Sequence, residues 1–293
     1  MKKAIGTILA VLVLTTALAG CGGNNANPSP SPANTPTGKP ALSGVVKTGG
    51  STSVEKVMNA LIYQFQDDNG NVTINYEMNG SGDGIKNTIS GMYEIGHSSR
   101  ELKTDGTEDG LTATAYAIDG IAIVVNQANT VENLTKDQIN GIYTGKITNW
   151  NEVGGGDALI TVITREPGSG TRSAIAELIG LEVAGNDSTN IVAEATVAND
   201  TGSVQTAVTQ NPNAIGYMSF SDVDTSKVKT VKYEDVAIST AALKDGTYLL
   251  KRDFYLLNKT GATLSPAAQA FKDFVMSAAG QRIVAANNLL PIK

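Results

Sequence analysis

Residues 161–172 constrain the fold most strongly, because an apolar, β-branched run there ends in an arginine and passes through a turn into a helical pattern. The apolar residues that follow have the i, i+3, i+4 spacing of one helix face, so Ser169 or Thr171 falls at the N-cap. Free backbone N–H groups, hydroxyls and a guanidinium then meet at one helix start, which suits an anion. A plain strand-to-helix turn explains the glycines and Pro167 equally well.

Two similar junctions occur earlier in the chain. Residues 49–53 precede a helix whose apolar residues fall at i, i+3, i+4, i+7 and i+8. Residues 79–84 follow an alternating strand at 72–76 and open a short helix, and residues 96–100 form a third expected loop. Alternating strands and helices predict an α/β fold with mainly parallel sheets. Ligands of such sheets bind beyond the carboxyl ends of the strands, where these junctions lie.

Further elements continue this alternation. Strands are predicted at residues 118–125, 161–165, 214–218 and 248–257. One helix is predicted behind a capping box formed by Thr135 and Gln138, and another starts near residue 202. A last amphipathic helix opens at Pro266, a favourable residue for the first helical position. Its expected inner face consists of Phe271, Phe274, Val275 and Ala278.

The first residues resemble a bacterial lipoprotein signal. Lys2 and Lys3 precede an apolar stretch at 8–19, and small residues lead to Cys21, the only cysteine. We therefore expect a signal peptide at 1–20, lipidation of Cys21 and a flexible linker at 21–43 rich in Pro, Ser and Asn. The protein would be extracytoplasmic and lipid-anchored to the outer face of the cell membrane. An ordinary signal peptide with an incidental cysteine is the alternative.

The residue inventory argues for binding rather than catalysis. The 293 residues carry a formal net charge of −6 and no Lys/Arg run longer than two, which argues against nucleic acid as a partner. His97 is the only histidine, so a His/Cys metal cluster is excluded and a Ser-His-Asp triad would have to use it. The Ser-x-x-Lys match at Ser53 and the Lys-Thr-Gly match at 47–49 stand in the wrong order for penicillin-recognising enzymes. We expect no enzyme activity, cofactor or metal.

Six segments together resemble the phosphate-binding lipoproteins of phosphate-specific ABC importers. They are GGSTS (49–53), GSGDGIK (80–86), IGHSSREL (95–102), DGIA (119–122), IYTGKITNW (142–150) and REPGSGT (165–171). The resemblance implies a two-lobed, type II periplasmic-binding-protein-like fold with a hinged interlobe cleft. Lobe one would comprise residues 44–124 and 252–293, and lobe two residues 125–251. It also implies a monomer that captures inorganic phosphate and delivers it to ABC transporter permease subunits.

The family's phosphate contacts transfer to positions in four segments of this chain. They are Ser51, Thr52 and Ser53, then Ser81, then Ser98 and Ser99, and from the other lobe Arg165, Ser169, Gly170 and Thr171. Some members hold a proton-accepting aspartate where this chain has Ser99, and another where it has Pro167. Three carboxylates are left as possible acceptors of the phosphate proton, and the sequence does not choose among Asp83, Asp119 and Glu166.

Several alternatives stay open at this point. The same fold can bind another tetrahedral oxyanion such as sulfate, molybdate or tungstate, or serve as a phosphate sensor or adhesin. A surface hydrolase of phosphate esters is disfavoured by the inventory. Ser53 could be only an N-cap, and Arg100 could pair with a surface carboxylate. His97 is expected in a loop near the cleft, where contact with an anion would make affinity sensitive to mild acid.

Overall fold

The structure, a computed structural model, describes residues 41–181 and 189–292. The predicted signal peptide, Cys21 and most of the predicted linker lie outside the described residues. The chain from residue 40 onward belongs to one compact unit. In the described ranges, no helix is both long enough and apolar enough to cross a membrane.

The first six elements follow the predicted alternation. Parallel strands at their centre are β1 (Gly44–Gly50), β2 (Val72–Met78) and β3 (Ile95–Ser98), with β1 between the other two. The helices are α1 (Glu55–Asp68), which follows a 3₁₀ turn at Thr52–Val54, and α2 (Ser81–Ser90). The predicted third loop is partly wrong, because β3 continues through Ser98 and pairs with its neighbours there.

Two long strands dominate the middle of the sheet. They are β4 (Leu111–Asn126) and β10 (Lys251–Lys259), which pair antiparallel. The sheet order is β2-β1-β3-β10-β4, followed by the strands at Ala214–Ser219, Thr161–Arg165 and Thr196–Ala198. The prediction of mainly parallel sheets is wrong at this centre, because every pairing that β4 makes is antiparallel. The fold is therefore mixed α/β.

The remaining part alternates short strands and helices between β4 and β10. Its strands are β5 (Asn133–Leu134), β6 (Thr161–Arg165), β7 (Thr196–Ala198), β8 (Ala214–Ser219) and β9 (Val228–Tyr233). Its helices are α3 (Lys136–Tyr143), α4 (Gly170–Ile179), α5 (Thr201–Gln210) and α6 (Thr240–Lys244). The capping box before α3 is confirmed, because the side chains of Thr135 and Gln138 each accept the other's backbone N–H.

The C-terminal segment forms two helices where one was predicted. They are α7 (Pro266–Met276) and α8 (Ala278–Ala286), and β11 (Leu290–Pro291) then pairs with β4. Ser277 separates them, because its Oγ accepts the backbone N–H of Gly280 and caps α8. Ala278 therefore starts a new helix instead of extending the inner face of the first.

Two hydrophobic clusters divide the described residues. One contains Val46, Phe65, Phe254 and Phe271, and the other contains Val125, Trp150, Ile175 and Tyr217. Along β4, buried residues up to Ala117 belong to the first cluster and those from Ile121 onward belong to the second. The chain returns to the first cluster between Leu250, just before β10, and Phe254 within it. We call the part around the first cluster lobe one and the part around the second lobe two. Among the described residues, the chain passes from one cluster to the other along β4 and β10, which gives the two-lobed fold that the sequence predicted.

Candidate anion-binding site

The end of β1 brings three loops of lobe one together. Gly50 has a φ of 139°, a conformation that favours glycine, and its carbonyl accepts the N–H groups of Asn79 and Gly80 at 3.1 and 2.9 Å. A Cβ at Gly50 would also collide with the backbone of His97. Glycine at this position thus allows the loops after β1, β2 and β3 to approach each other closely.

Ser51, Thr52 and Ser53 follow directly and are buried. Ser51 is the N-cap of the 3₁₀ turn, since its Oγ accepts from the N–H of Ser53 at 3.3 Å. The same hydroxyl donates to Ser99 Oγ at 2.8 Å. Ser53 is therefore not the N-cap, and its own hydroxyl is available to contact lobe two.

Ser81 and Ser99 complete the lobe-one side. Ser81 is the first residue of α2; its Oγ accepts from the N–H of Ser99 at 3.1 Å and lies 3.3 Å from Ser99 Oγ. Ser98 is also buried, but its hydroxyl donates to the carbonyl of Arg100 at 2.7 Å and accepts the N–H of Arg100 at 3.2 Å. The structure thus brings Ser81 and Ser99 to Ser51 and keeps the Ser98 hydroxyl within its own loop.

Lobe two contributes the start of α4. Ser169, one of the two residues predicted for that position, is its N-cap, because the Oγ accepts from the N–H of Arg172 at 3.2 Å. Thr171 Oγ1 lies 2.7 Å from Ser53 Oγ, a contact between the lobes. A Cβ added to Gly170 would come within 2.6 Å of Ser99 Oγ, so only glycine allows this approach. Another interlobe hydrogen bond joins the N–H of Gly82 to the carbonyl of Gly168 at 3.1 Å.

Arg165, the last residue of β6, is fully buried among these groups. Its Nη2 donates to Thr52 Oγ1 across the interface at 3.0 Å. Its Nε and Nη2 also donate to the two carboxylate oxygens of Glu166, each at 2.7 Å. Because Glu166 stays partly exposed, the guanidinium is neutralised from the solvent side and presents its remaining N–H groups to the interior.

Sequence reasoning missed Thr201, the first residue of α5. Its Oγ1 lies 3.2 Å from Thr52 Oγ1, 3.4 Å from Ser53 Oγ and 3.4 Å from Arg165 Nη1. The available signal was Asp200-Thr201-Gly202-Ser203 after a strand, the same type of junction as the others. We call the following seven residues the hydroxyl cluster: Ser51, Thr52, Ser53, Ser81, Ser99, Thr171 and Thr201.

The structure places the three possible acceptor carboxylates outside this cluster. Asp83 is exposed on α2. Asp119 is buried in an ion pair with Arg252 and accepts from Ser219 Oγ at 2.9 Å; burial raises the pKa of its carboxyl group, against the opposing effect of Arg252. Glu166 binds Arg165. Within residues 41–181 and 189–292, the hydroxyl cluster makes no hydrogen bond to a carboxylate.

His97 lies in β3 and not in a loop, so that prediction is wrong. The side chain is completely buried, with Nε2 2.6 Å from Thr48 Oγ1 and its ring edge-on to Tyr76. Burial lowers the pKa of His97 from 6.5 to about 3. The ring is therefore neutral near physiological pH, and mild acid does not charge it in the folded protein.

Arg100 pairs with a carboxylate that is itself largely buried. Its Nη1 donates to Glu108 Oε2 at 2.8 Å, and the same oxygen accepts the N–H of Lys103 at 2.8 Å. Desolvation acts to raise the pKa of the Glu108 carboxyl group, but the hydrogen bonds and charges of Arg100 and Lys103 together lower it. The pair fixes the segment after Ser99 and does not enter the hydroxyl cluster.

The assembled groups are chemically suited to a small oxyanion. Hydroxyls and backbone N–H groups at the starts of four helical segments donate hydrogen bonds, and Arg165 supplies the permanent positive charge. Each of these hydroxyls can also accept a hydrogen bond from a protonated anion. Across the described ranges, no group of three His, Cys, Asp or Glu side chains is arranged to hold a metal ion.

Comparisons with known proteins identify similar chains that are named for phosphate binding or transport. The phosphate-binding protein PstS of Bacillus subtilis is 28% identical over 297 residues, covering 100% of this chain and 95% of its own. A solved Clostridium perfringens protein, assigned as a phosphate ABC transporter substrate-binding protein with bound phosphate, is 39% identical with a TM-score of 0.80. An ABC-type phosphate transport receptor from Vibrio cholerae is 32% identical with a TM-score of 0.71. For each of these two structures, the alignment covers 85% of this chain and 100% of the solved chain.

A family model provides the assignment. The model described as a PBP superfamily domain matches residues 30–279, which include lobe two and most of lobe one. Since that match covers most of the sequence, the chain belongs to the PBP superfamily.

Proposed function

We propose that this chain is an extracytoplasmic substrate-binding protein that captures inorganic phosphate between its lobes and delivers it to an ABC importer. One observation carries the proposal: buried hydroxyls from both lobes converge on the buried guanidinium of Arg165. The relatives named for phosphate binding supply the identity of the anion. No enzyme activity is proposed, since those relatives are named as binding and transport proteins.

The available donors are sufficient for useful affinity. A hydrogen bond to a charged group contributes roughly 1.5–3 kcal/mol, and a helix N-terminus adds about 0.3–2 kcal/mol. Micromolar binding corresponds to about 8 kcal/mol. Three or four such hydrogen bonds, with two or more helix starts and after the cost of desolvating the anion, reach that order of magnitude.

Phosphate would be held by hinge closure. The proposed lobes are residues 44–124 with 252–293, and residues 125–251, joined by β4 and β10; on β4 the hydrophobic clusters change a few residues before that bound, between Ala117 and Ile121. The exchange of hydrophobic clusters along these two strands supports a hinge there. An anion contacting both Ser53 and Thr171 would bridge the lobes and favour the closed state, since it binds that state better.

The anchor and the transporter partner are also part of the proposal. Lipidation of Cys21 would hold the protein at the outer face of the membrane, and Cys21→Ser should release it into the soluble fraction. Permease docking predicts that the phosphate-loaded protein stimulates ATP hydrolysis by the reconstituted importer. A sensor or adhesin would bind phosphate without this stimulation.

Calorimetric titration of residues 22–293, stripped of bound anion, tests the substrate. We expect tight phosphate binding near neutral pH and no release of phosphate from phosphate monoesters. Sulfate, molybdate and tungstate are titrated next. Stronger binding of one of these anions than of phosphate would contradict the proposal and reassign the protein to that oxyanion.

A further inference from the structure

We propose that Thr201 is a positioning residue of this site: its hydroxyl orients the Arg165 guanidinium and joins it to lobe one in the closed state. The inference rests on the proposed phosphate function and extends it to a residue outside the segments that carry the family resemblance. It concerns α5, which the sequence did not connect with the site.

The hydrogen bonds of Arg165 leave a specific place for Thr201. Nε and Nη2 are bound by Glu166, and Nη2 also donates to Thr52. Nη1 donates to Thr201 Oγ1 at 3.4 Å, and this is its one hydrogen-bond partner among the described residues. Glu166 holds the Nε–Nη2 edge of the guanidinium, and Thr201 adds a partner at Nη1, which restrains the group from its other side.

Thr201 also contacts lobe one directly. Its Oγ1 lies 3.2 Å from Thr52 Oγ1 and 3.4 Å from Ser53 Oγ. A hydroxyl has one proton to donate and two lone pairs, so it can accept from Arg165 while donating to Thr52 or Ser53. The residue therefore connects the arginine of lobe two with two hydroxyls of lobe one.

The position of Thr201 is rigid enough for this role. Its side chain is 4% exposed, and the helix behind it is held in lobe two by the fully buried Val204 and Val208. Asp200 caps the same helix, with its Oδ1 accepting from the N–H of Ser203 at 2.6 Å. The β-branched side chain has restricted rotamers in a helix, which limits where the hydroxyl can point.

The test uses residues 22–293 and inorganic phosphate. Thr201→Val removes the hydroxyl and keeps the β-branched shape, so we expect about tenfold weaker binding, equivalent to about 1.4 kcal/mol. Thr201→Ser restores the hydroxyl and should return affinity to within about threefold of the wild type. If the Ser variant binds as weakly as the Val variant, or the Val variant as tightly as the wild type, the inference is wrong.

Thr206→Val is the matched control. Thr206 lies on the exposed face of the same helix, and its hydroxyl donates to the carbonyl of Gly202 at 3.0 Å. This variant should bind phosphate like the wild type, with the same thermal unfolding midpoint as Thr201→Val in the absence of phosphate. A shared loss of affinity in both Val variants would assign the effect to the helix and overturn the role of the hydroxyl.

A double-mutant cycle tests whether Thr201 acts through the guanidinium. In an Arg165→Lys background, Thr201→Val should weaken phosphate binding much less than tenfold, because the planar guanidinium that Thr201 orients is already absent. A full tenfold loss in that background would contradict positioning and indicate a separate contact. If the wild type does not bind phosphate, the proposed function itself is wrong. That outcome differs from a wild type that binds phosphate without any contribution from Thr201, so the two failures are distinguishable.

Discussion

Two buried arginines, one at the candidate site and one between the lobes, use similar chemistry for different purposes. Arg165 is paired with a partly exposed carboxylate, Glu166, and its inner N–H groups meet hydroxyls. Arg252 is paired with the fully buried Asp119, where Nε and Nη2 both donate to Oδ2 at 3.2 and 3.0 Å. Hydroxyl partners can be exchanged for ligand oxygens, whereas a buried carboxylate is a permanent partner. The comparison indicates that the partner, and not burial, distinguishes the proposed binding arginine, Arg165, from the structural one, Arg252.

The surroundings of Arg252 fit a structural role. Asp119 and Arg252 face each other in the register of β4 and β10, between the two hydrophobic clusters. Arg252 Nη1 has no hydrogen-bond partner among the described residues, and the guanidinium lies 5.3 Å from the Phe254 ring centroid. Burial of this kind makes the pair costly to break, since either partner alone would be an unpaired buried charge.

Removing Asp119, the carboxylate partner of Arg252, should have the largest effect on the free energy of unfolding. Asp119→Ala leaves Arg252 buried without its carboxylate, and we expect the free energy of unfolding to fall by about 3–5 kcal/mol. Urea denaturation of residues 22–293 measures this change. Asp83→Ala, at an exposed carboxylate, is the control and should be near neutral. A loss below about 1 kcal/mol for Asp119→Ala would show that the Asp119–Arg252 pair does not stabilise the fold.

Replacing Arg165 should instead affect phosphate binding more than stability. Arg165→Ala should weaken phosphate binding at least about 100-fold, since two or more charge-assisted hydrogen bonds are lost. Its effect on stability should be smaller than that of Asp119→Ala, because Glu166 remains in contact with solvent. Arg282→Ala, at an exposed arginine of α8, serves as the calorimetric control. Near-normal phosphate affinity of Arg165→Ala would refute the assignment of the site.

A third buried basic residue, His97, extends the comparison to a group without a carboxylate partner. Its pKa of about 3 in the folded protein lies below the ordinary value of 6.5, so the unfolded chain binds the extra proton first as pH falls. Stability is therefore lost as pH falls from about 6.5 towards 3, and this group contributes about 2 kcal/mol of that loss by pH 5.

His97→Gln should remove this part of the pH dependence. Unfolding free energies of both proteins measured at pH 7 and pH 5 give the difference directly. The phosphate affinity of the wild type should show no step near pH 6.5 from this residue. An unchanged slope in the Gln variant would mean that His97 is not buried neutral.

The smallest expected effect concerns how closely the lobes approach at the site. Gly170→Ala places a Cβ within 2.6 Å of Ser99 Oγ, so the closed state must open slightly, and we expect about tenfold weaker phosphate binding. Gly168→Ala is the matched control, since a Cβ there meets no atom within 4 Å. Equal affinities of the two variants would show that close approach at Gly170 is not required.

Much of the site could be predicted from local patterns. Glycine and hydroxyl residues between a strand and a helix identified the loops at 49–53, 79–84 and 165–171, and the family resemblance selected the site residues within them. The structure brings these loops together. Thr201 was missed because the strand before it, β7, has only three residues and gives little periodic signal. Ser98 has the same residue type and burial as Ser99, and only the direction of its hydroxyl separates them.

The amino-acid sequence by itself determined the helix starts, the apolar faces and the family, because these depend on residues close together in the chain. Only the tertiary structure decided that Thr201 joins the hydroxyls around Arg165 and which carboxylates are already engaged. Asp119 and Arg252 are 133 positions apart, and Arg165 and Thr52 are 113 apart. Partners at such distances are chosen when β4 and β10 bring the lobes together, and burial then fixes each group's charge and hydrogen bonds.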